Sequence, residues 1–218
     1  MDYYEERVRI IETCKKMCQL SFFIGTWGNI SLRVNDRILL TPSRVNYDTM
    51  MPADIVVIDL EGHKLSGEKN PTSEKEVHRQ IYLCRNDVKA IIHAHTEKAM
   101  AVSATTLNSV PCLVEEMSQL LGGSIPITKR YICAERHEKL GLDAAEAIGD
   151  KNGCILRNHG SVGCGKDMDE AILAIQIVEK GCEIFLDSLM TGEQMAIPDE
   201  FARSEHYRYQ YKYGKEVV

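Results

Sequence analysis

Apolar positions three and four residues apart run through the start of the chain, where Val8, Ile11, Cys14, Cys18 and Phe22 share one face of a helix over residues 3–22. Gly25 ends that pattern and the period changes. NISLRV, an Asn35-Asp36 turn and RILLTPS read as a hairpin, and ADIVVIDLEGHKLSG repeats the form around Glu61-Gly62. After Pro71 the helical period returns in SEKEVHRQIYLCR. Ser73 and Glu76 have the spacing of a capping box, which predicts Ser73 at the N-cap and Glu74 at the first helical position. VKAIIHAHT, rich in β-branched residues, reads as a strand, and residues 97–107 as a helix. VPCLVEEMSQLLGG fits either period, with Gly122-Gly123 as its stop. Beyond it come a helix over 137–149, a buried hairpin in GCILRNHGSVGCG and a long amphipathic helix over 167–191. Strands and helices alternate without repeats, so the fold class is an α/β or α+β sheet domain.

Composition adds bounds rather than detail. The 218 residues fit one domain, residues 1–218, with a flexible C-terminal tail from about residue 204. An apolar share of 44% supplies a full core without a disulfide or metal staple. The net charge of −6 argues against a nucleic-acid partner, because backbone phosphates want a basic face. No apolar run reaches the ~20 residues that span a bilayer. Eight cysteines form no CxxC pair and sit mostly in apolar runs, which reads as reduced thiols in a cytoplasmic protein.

The candidate chemistry starts with His93 and His95. Two residues apart on a strand, both project from one face and can reach one ion, although a solvated histidine patch has the same spacing. His159, in the glycine-rich RNHGSVGCG, is a candidate third ligand or an ordinary turn histidine. His63, His78, His137 and His206 fall in turn or helical contexts and carry no such signal. Glu74 is a candidate acid/base, free for that work because Glu76 completes the cap; a carboxylate in a first helical turn also has a plain electrostatic reason to be there. TWGNIS, Thr41-Pro42-Ser43 and Thr72-Ser73 offer hydroxyls and backbone N–H groups suited to an anion or to ordinary turns.

Taken together, GTWGNISLR, LLTPS, PTSEKEVH, HAHT and RNHG resemble the class II aldolase/adducin family, from about residue 3 to about residue 195. The resemblance implies a three-layer α/β/α domain with a central, largely antiparallel sheet, assembled as a homotetramer with interfacial active sites. It implies Zn2+, with Mn2+ or Co2+ as other candidates, held by His93, His95 and His159. Glu74 would cap the resting metal and then act as acid/base. Gly28, Asn29, Thr41, Ser43, Thr72 and Ser73 match the family's phosphate cradle. The implied activity is cleavage of a ketose or deoxyketose 1-phosphate, such as L-fuculose 1-phosphate, into dihydroxyacetone phosphate and an aldehyde. Two departures stand out. Pro42 follows the first threonine of the cradle, where a glycine is common, and Glu115, with Glu116 beside it, stands where the aldolases carry a tyrosine. The Glu-Met pair is also similar to the family's methylthioribulose-1-phosphate dehydratases. Decarboxylases of phosphorylated sugar acids and non-catalytic adducin-like scaffolds complete the alternatives. Tyr213 resembles the tyrosine that a flexible C-terminal end folds over the site.

Overall fold

A computed structural model describes residues 1–133 and 135–214. Helix α1 (Tyr4–Gln19) leads into β1 (Asn29–Val34) and β2 (Arg37–Leu40), then β3 (Val56–Asp59) and β4 (Lys64–Ser66). Next come α2 (Lys75–Cys84), β5 (Ala90–Ala94), α3 (Glu97–Ser103), β6 (Ser109–Val110) and, after a π-helical turn at Met117–Leu121, β7 (Ile125–Pro126). The chain ends with α4 (His137–Ile148), β8 (Gly153–Leu156), β9 (Gly160–Gly165), α5 (Met168–Ser188) and α6 (Asp199–Tyr211). Seven strands form one sheet in the order β4-β3-β2-β1-β5-β9-β8, with every neighbouring pair antiparallel.

The period of two sorts the sheet's side chains into two layers. Ile30, Leu32, Leu39, Val57, Ala90 and Ile92 face α1 and α5, meeting Ile10, Met17, Ile172 and Ile175. Ile38, Leu40, Val56, Ile58, Ile91 and Val162 face α2 and α4, meeting Val77, Ile81, Leu140 and Ile148. Full burial of each such side chain is worth about 1.5–3 kcal/mol, so these two layers hold the sheet without help from an ion. A third cluster lies at one end, where α3, α6 and the far side of α5 close around Ile125, Leu121 and Phe185. The expected three-layer α/β/α arrangement with an antiparallel sheet is what the chain adopts.

Three local expectations need correction. The capping box does not form: α2 begins at Lys75 with Glu74 at the N-cap and no side-chain cap, while Glu76 pairs with Arg79 at 2.8 Å. Thr72 Oγ1 instead accepts the Glu74 N–H at 3.3 Å, which leaves Ser73 exposed. The ambiguous 110–123 stretch resolves into the end of β6 at Val110 and, at Met117–Leu121, the π-helical turn, closed by Gly122 at φ 84°. The supposed tail from residue 204 is helical through Tyr211: α6 buries Ala202, and its tyrosines pair one turn apart, Tyr207 with Tyr211 at 4.9 Å and Tyr209 with Tyr213 at 5.7 Å. Residues 215–218 of that stretch lie outside the described residues. None of the eight cysteines is bonded to another, and among the described residues no helix is long and apolar enough to cross a membrane.

Candidate metal centre and active site

His93 lies on the α2 side of β5, beside Asn29 of β1, and His95 follows one residue past the strand's end. The β8–β9 turn carries His159 over both, with Asn158 in the left-handed region at φ 53° and the His159 N–H closing back on Leu156 O at 3.1 Å. The three rings stand edge-on to one another, with centroids 5.0, 5.0 and 5.1 Å apart and interplanar angles of 73°, 76° and 80°. His93 Nε2 is 3.1 Å from His95 Nε2. Glu74, at the mouth of α2, reaches His159 Nε2 with Oε1 at 2.8 Å and His93 Nε2 with Oε2 at 3.2 Å.

This donor set fits a divalent ion. One ligand atom from each of Glu74, His93, His95 and His159 lies within 4.8 Å of the others. Two imidazole nitrogens sharing one zinc-sized ion at about 2.0–2.1 Å lie roughly 3.3 Å apart, close to the 3.1 Å between His93 and His95. His93 Nδ1 donates to Ser161 O at 3.0 Å, which fixes the tautomer that leaves Nε2 with its lone pair. The same neighbours set the charge on Glu74. Burial alone would raise the Glu74 carboxyl, but the His93 charge and hydrogen bonds from His159 and His93 outweigh it and hold Glu74 well below the usual carboxylate range. Burial works against charging His93, whereas Glu74 and the Ser161 carbonyl raise it. His95 is pushed down to about 3 by burial and then by the charges of its two neighbours, so it stays a neutral ligand.

Gly160 makes the cluster possible. A Cβ there would lie 2.6 Å from Ala94 O and 3.0 Å from both His93 Cε1 and His95 Cδ2. Gly160→Ala is therefore expected to push both imidazoles off their convergence and weaken metal binding about 10–100-fold, read by competition with a coloured chelator. Unchanged affinity would mean that the rings have slack the contacts do not suggest.

A cleft of 320 Å³ opens beside the cluster, lined by the hydroxyl residues Thr26, Ser43, Thr72 and Ser73 together with Gly28, Asn29, Glu74, His95 and His159. Gly28 shapes its floor at φ 106°, where a Cβ would meet the Phe23 ring at 2.3 Å. Four expected site residues are used differently. Thr41 is fully buried and outside the lining, its Oγ1 accepting the Ile30 N–H at 3.2 Å. Asn29 reaches the cleft, but its carboxamide is engaged, donating from Nδ2 to Glu74 Oε2 at 2.8 Å and facing His78 Nε2 with Oδ1. Glu115 and Tyr213 do not line their own chain's cleft; both are exposed, Glu115 just before the π-helical turn and Tyr213 just past the helix that packs on it.

Three residues that the sequence pattern does not single out also lie here. Arg44 lines the cleft in the left-handed region at φ 59°, a backbone state that costs a side-chain-bearing residue about 1–2 kcal/mol. Trp27 is 64% exposed and stacks on His95 at 6.4 Å and 18°, forming an apolar wall beside the ligand set. His78 is fully buried and two hydrogen bonds from Glu74. Its place four residues after Glu74, on the same helix face, was the one signal available in advance.

Comparison with known proteins agrees with this geometry. A family profile described as the class II aldolase and adducin N-terminal domain matches residues 8–186. The chain is 31% identical over 187 residues to an L-fuculose phosphate aldolase of Methanocaldococcus jannaschii, covering 85% of this chain and 98% of that one. It is 29% identical over 203 residues to a 5-deoxy-D-ribulose 1-phosphate aldolase of Bacillus thuringiensis, covering 90% and 91%. A solved L-fuculose 1-phosphate aldolase superposes with a TM-score of 0.90 at 26% identity, over 97% of this chain and 99% of that one. The chain belongs to the class II aldolase and adducin N-terminal domain family, and within it to the metal-dependent aldolases.

Proposed function

We propose that the protein is a zinc-dependent aldolase that reversibly cleaves a ketose or deoxyketose 1-phosphate, such as L-fuculose 1-phosphate, into dihydroxyacetone phosphate and an aldehyde. The observation that carries this reading is the convergence of Glu74, His93, His95 and His159 at the edge of a hydroxyl-lined cleft. The three histidines would hold the ion. Zn2+, or Mn2+ or Co2+ in its place, would supply a Lewis acid for the ketone and the adjacent hydroxyl of the sugar, and an electron sink for the charge left when the C3–C4 bond breaks.

The chain's own groups do the rest. Ser43, Thr72 and Ser73, with the N-terminus of α2 behind them, suit the dianionic phosphate. Cleavage removes the proton of the C4 hydroxyl and forms the aldehyde there. The residue at the aldehyde oxygen would take that proton, while Glu74, ionised at rest, would take up one from solvent, deliver it to C3 of the three-carbon fragment and take it back in the synthetic direction. Glu115 and Tyr213, exposed and away from their own cleft, are read as residues lent to a neighbouring chain's site within a homotetramer. There Glu115 would handle the aldehyde oxygen in the tyrosine's place. The same reading makes the protein a cytoplasmic enzyme of a small phosphorylated sugar, with no nucleic-acid or membrane partner, in keeping with a net charge of −6.

Arg44 is assigned to the phosphate end. It is exposed, has no ion-pair partner among the described residues, and holds a conformation that glycine would adopt without strain. Arg44→Gly is expected to raise the KM for the sugar phosphate about threefold to tenfold while the melting temperature holds or rises. A lower melting temperature with unchanged KM would make Arg44 a structural residue instead.

The substrate class is tested by incubating the metal-loaded protein with the 1-phosphates of fuculose, ribulose, 5-deoxyribulose and methylthioribulose. Release of dihydroxyacetone phosphate is expected from at least one of the first three. A product that keeps every carbon and has lost water would assign the site to dehydratase chemistry.

A further inference from the structure

We propose that His78 is a positioning residue for catalysis, holding the Asn29 carboxamide in the one orientation that presents its N–H to Glu74. The inference rests on the reading of Glu74 as the acid/base. A line of buried polar groups runs from the site into the layer between the sheet and α2. Glu74 Oε2 accepts from Asn29 Nδ2 at 2.8 Å, Asn29 Oδ1 meets His78 Nε2 at 2.5 Å, His78 Nδ1 meets Ser31 Oγ at 2.7 Å, and Ser31 Oγ meets Tyr82 OH at 2.8 Å. Asn29 and Ser31 sit two apart on β1, on the face toward α2, and His78 and Tyr82 sit four apart on α2, so each pair projects into the same layer. Ser31, His78 and Tyr82 are fully buried and Asn29 is 3% exposed.

The donors and acceptors along this line admit one direction. An ionised carboxylate only accepts, so Asn29 turns its NH2 toward Glu74. Its Oδ1 is then left facing His78 Nε2, which has to carry the proton. Nδ1 becomes the acceptor, filled by the Ser31 hydroxyl. The reversed amide would set oxygen against oxygen at Glu74 and needs the other tautomer of His78. A neutral ring is what the surroundings favour: His78 is pushed down to about 3, by burial first and then by the charge of His93, against an opposing pull from Glu74. His78 therefore holds the Asn29 amide in the orientation that the catalytic carboxylate requires, although it is itself part of neither the ligand set nor the cleft lining.

Two polar replacements separate this role from bulk packing. The amide nitrogen of glutamine lies near the position of histidine Nε2, whereas asparagine reaches only as far as Nδ1. His78→Gln is expected to keep kcat within a few-fold of the parent. His78→Asn is expected to lose about 10–100-fold in kcat, the range for groups that orient a ligand or catalytic side chain, with metal content and the KM for the sugar phosphate unchanged. In an Asn29→Ala background the two replacements are expected to give equal kcat, because the amide they act through is gone. Equal kcat for His78→Gln and His78→Asn in the parent background would overturn the proposal. So would a difference that survives Asn29→Ala, or a loss matched by a fall in bound metal. Glu74→Gln measured alongside keeps the two readings apart. Full activity there removes the acid/base itself, whereas a lost acid/base with indifferent His78 replacements removes only the positioning role.

Discussion

Glu74→Gln is expected to keep a full complement of metal and to lose about 10²–10⁴-fold in turnover, the usual contribution of a positioned acid/base. The replacement preserves shape, and its Oε1 can still accept the Asn29 N–H that now meets Glu74 at 2.8 Å. Three imidazoles remain to hold the ion, enough for a site that keeps a position open for substrate. What the amide cannot do is carry a proton to the three-carbon fragment and take it back. Metal per chain and the rate of dihydroxyacetone phosphate release, measured on one sample, check both halves. Unaltered kinetics would remove Glu74 from the mechanism, and lost metal would make it chiefly a ligand.

His159→Ala is the second large effect, and it runs the other way: the fold is kept and the ion is lost. His159 is on the turn between β8 and β9 and belongs to none of the three apolar clusters, so its removal opens no void in the core. It does remove one of three imidazole donors and a close partner of Glu74, at 2.8 Å. Dialysed His159→Ala is expected to retain less than a tenth of the parent's metal and activity, with near-parental melting temperature and far-ultraviolet dichroism. Excess zinc should restore activity only in part. Retention of one tightly bound ion per chain would exclude His159 from the ligand set. His93→Ala is a poorer test, because that ring is fully buried and its loss disturbs packing and coordination together.

Much of this was legible in the sequence because the local signals were strong. The alternation in NISLRV and RILLTPS, with Asn35-Asp36 between them, gives β1 and β2 and their register, and Asn35 takes the left-handed turn position at φ 54°. The H-x-H spacing on an apolar strand brings His93 and His95 together, since residues two apart share a face. Other signals were local where the outcome is tertiary. Ser73 and Glu76 spell a capping box, yet Thr72 takes the Glu74 N–H and Arg79 takes the Glu76 carboxylate. Thr41 belongs to a hydroxyl motif, but its oxygen closes on Ile30 across the hairpin. The tyrosines of the last stretch looked like a tail because nothing in their order marks the apolar end against which α6 packs. His78 gives no strong sequence signal for a related reason. A histidine inside a helix is unremarkable until Asn29 and Ser31, some 50 residues earlier in sequence, are found on the strand face opposite it.

On the proposed mechanism one divalent ion per chain, held where Glu74 meets His93, His95 and His159, would be the electron sink for carbon–carbon cleavage. The most direct measurement is to strip the protein with a chelator, return zinc in substoichiometric steps, and follow dihydroxyacetone phosphate release from L-fuculose 1-phosphate and 5-deoxyribulose 1-phosphate. Release should start at baseline, rise in proportion to added ion and level off at one equivalent per chain. Rapid release from the stripped protein, before any ion is returned, would contradict the account.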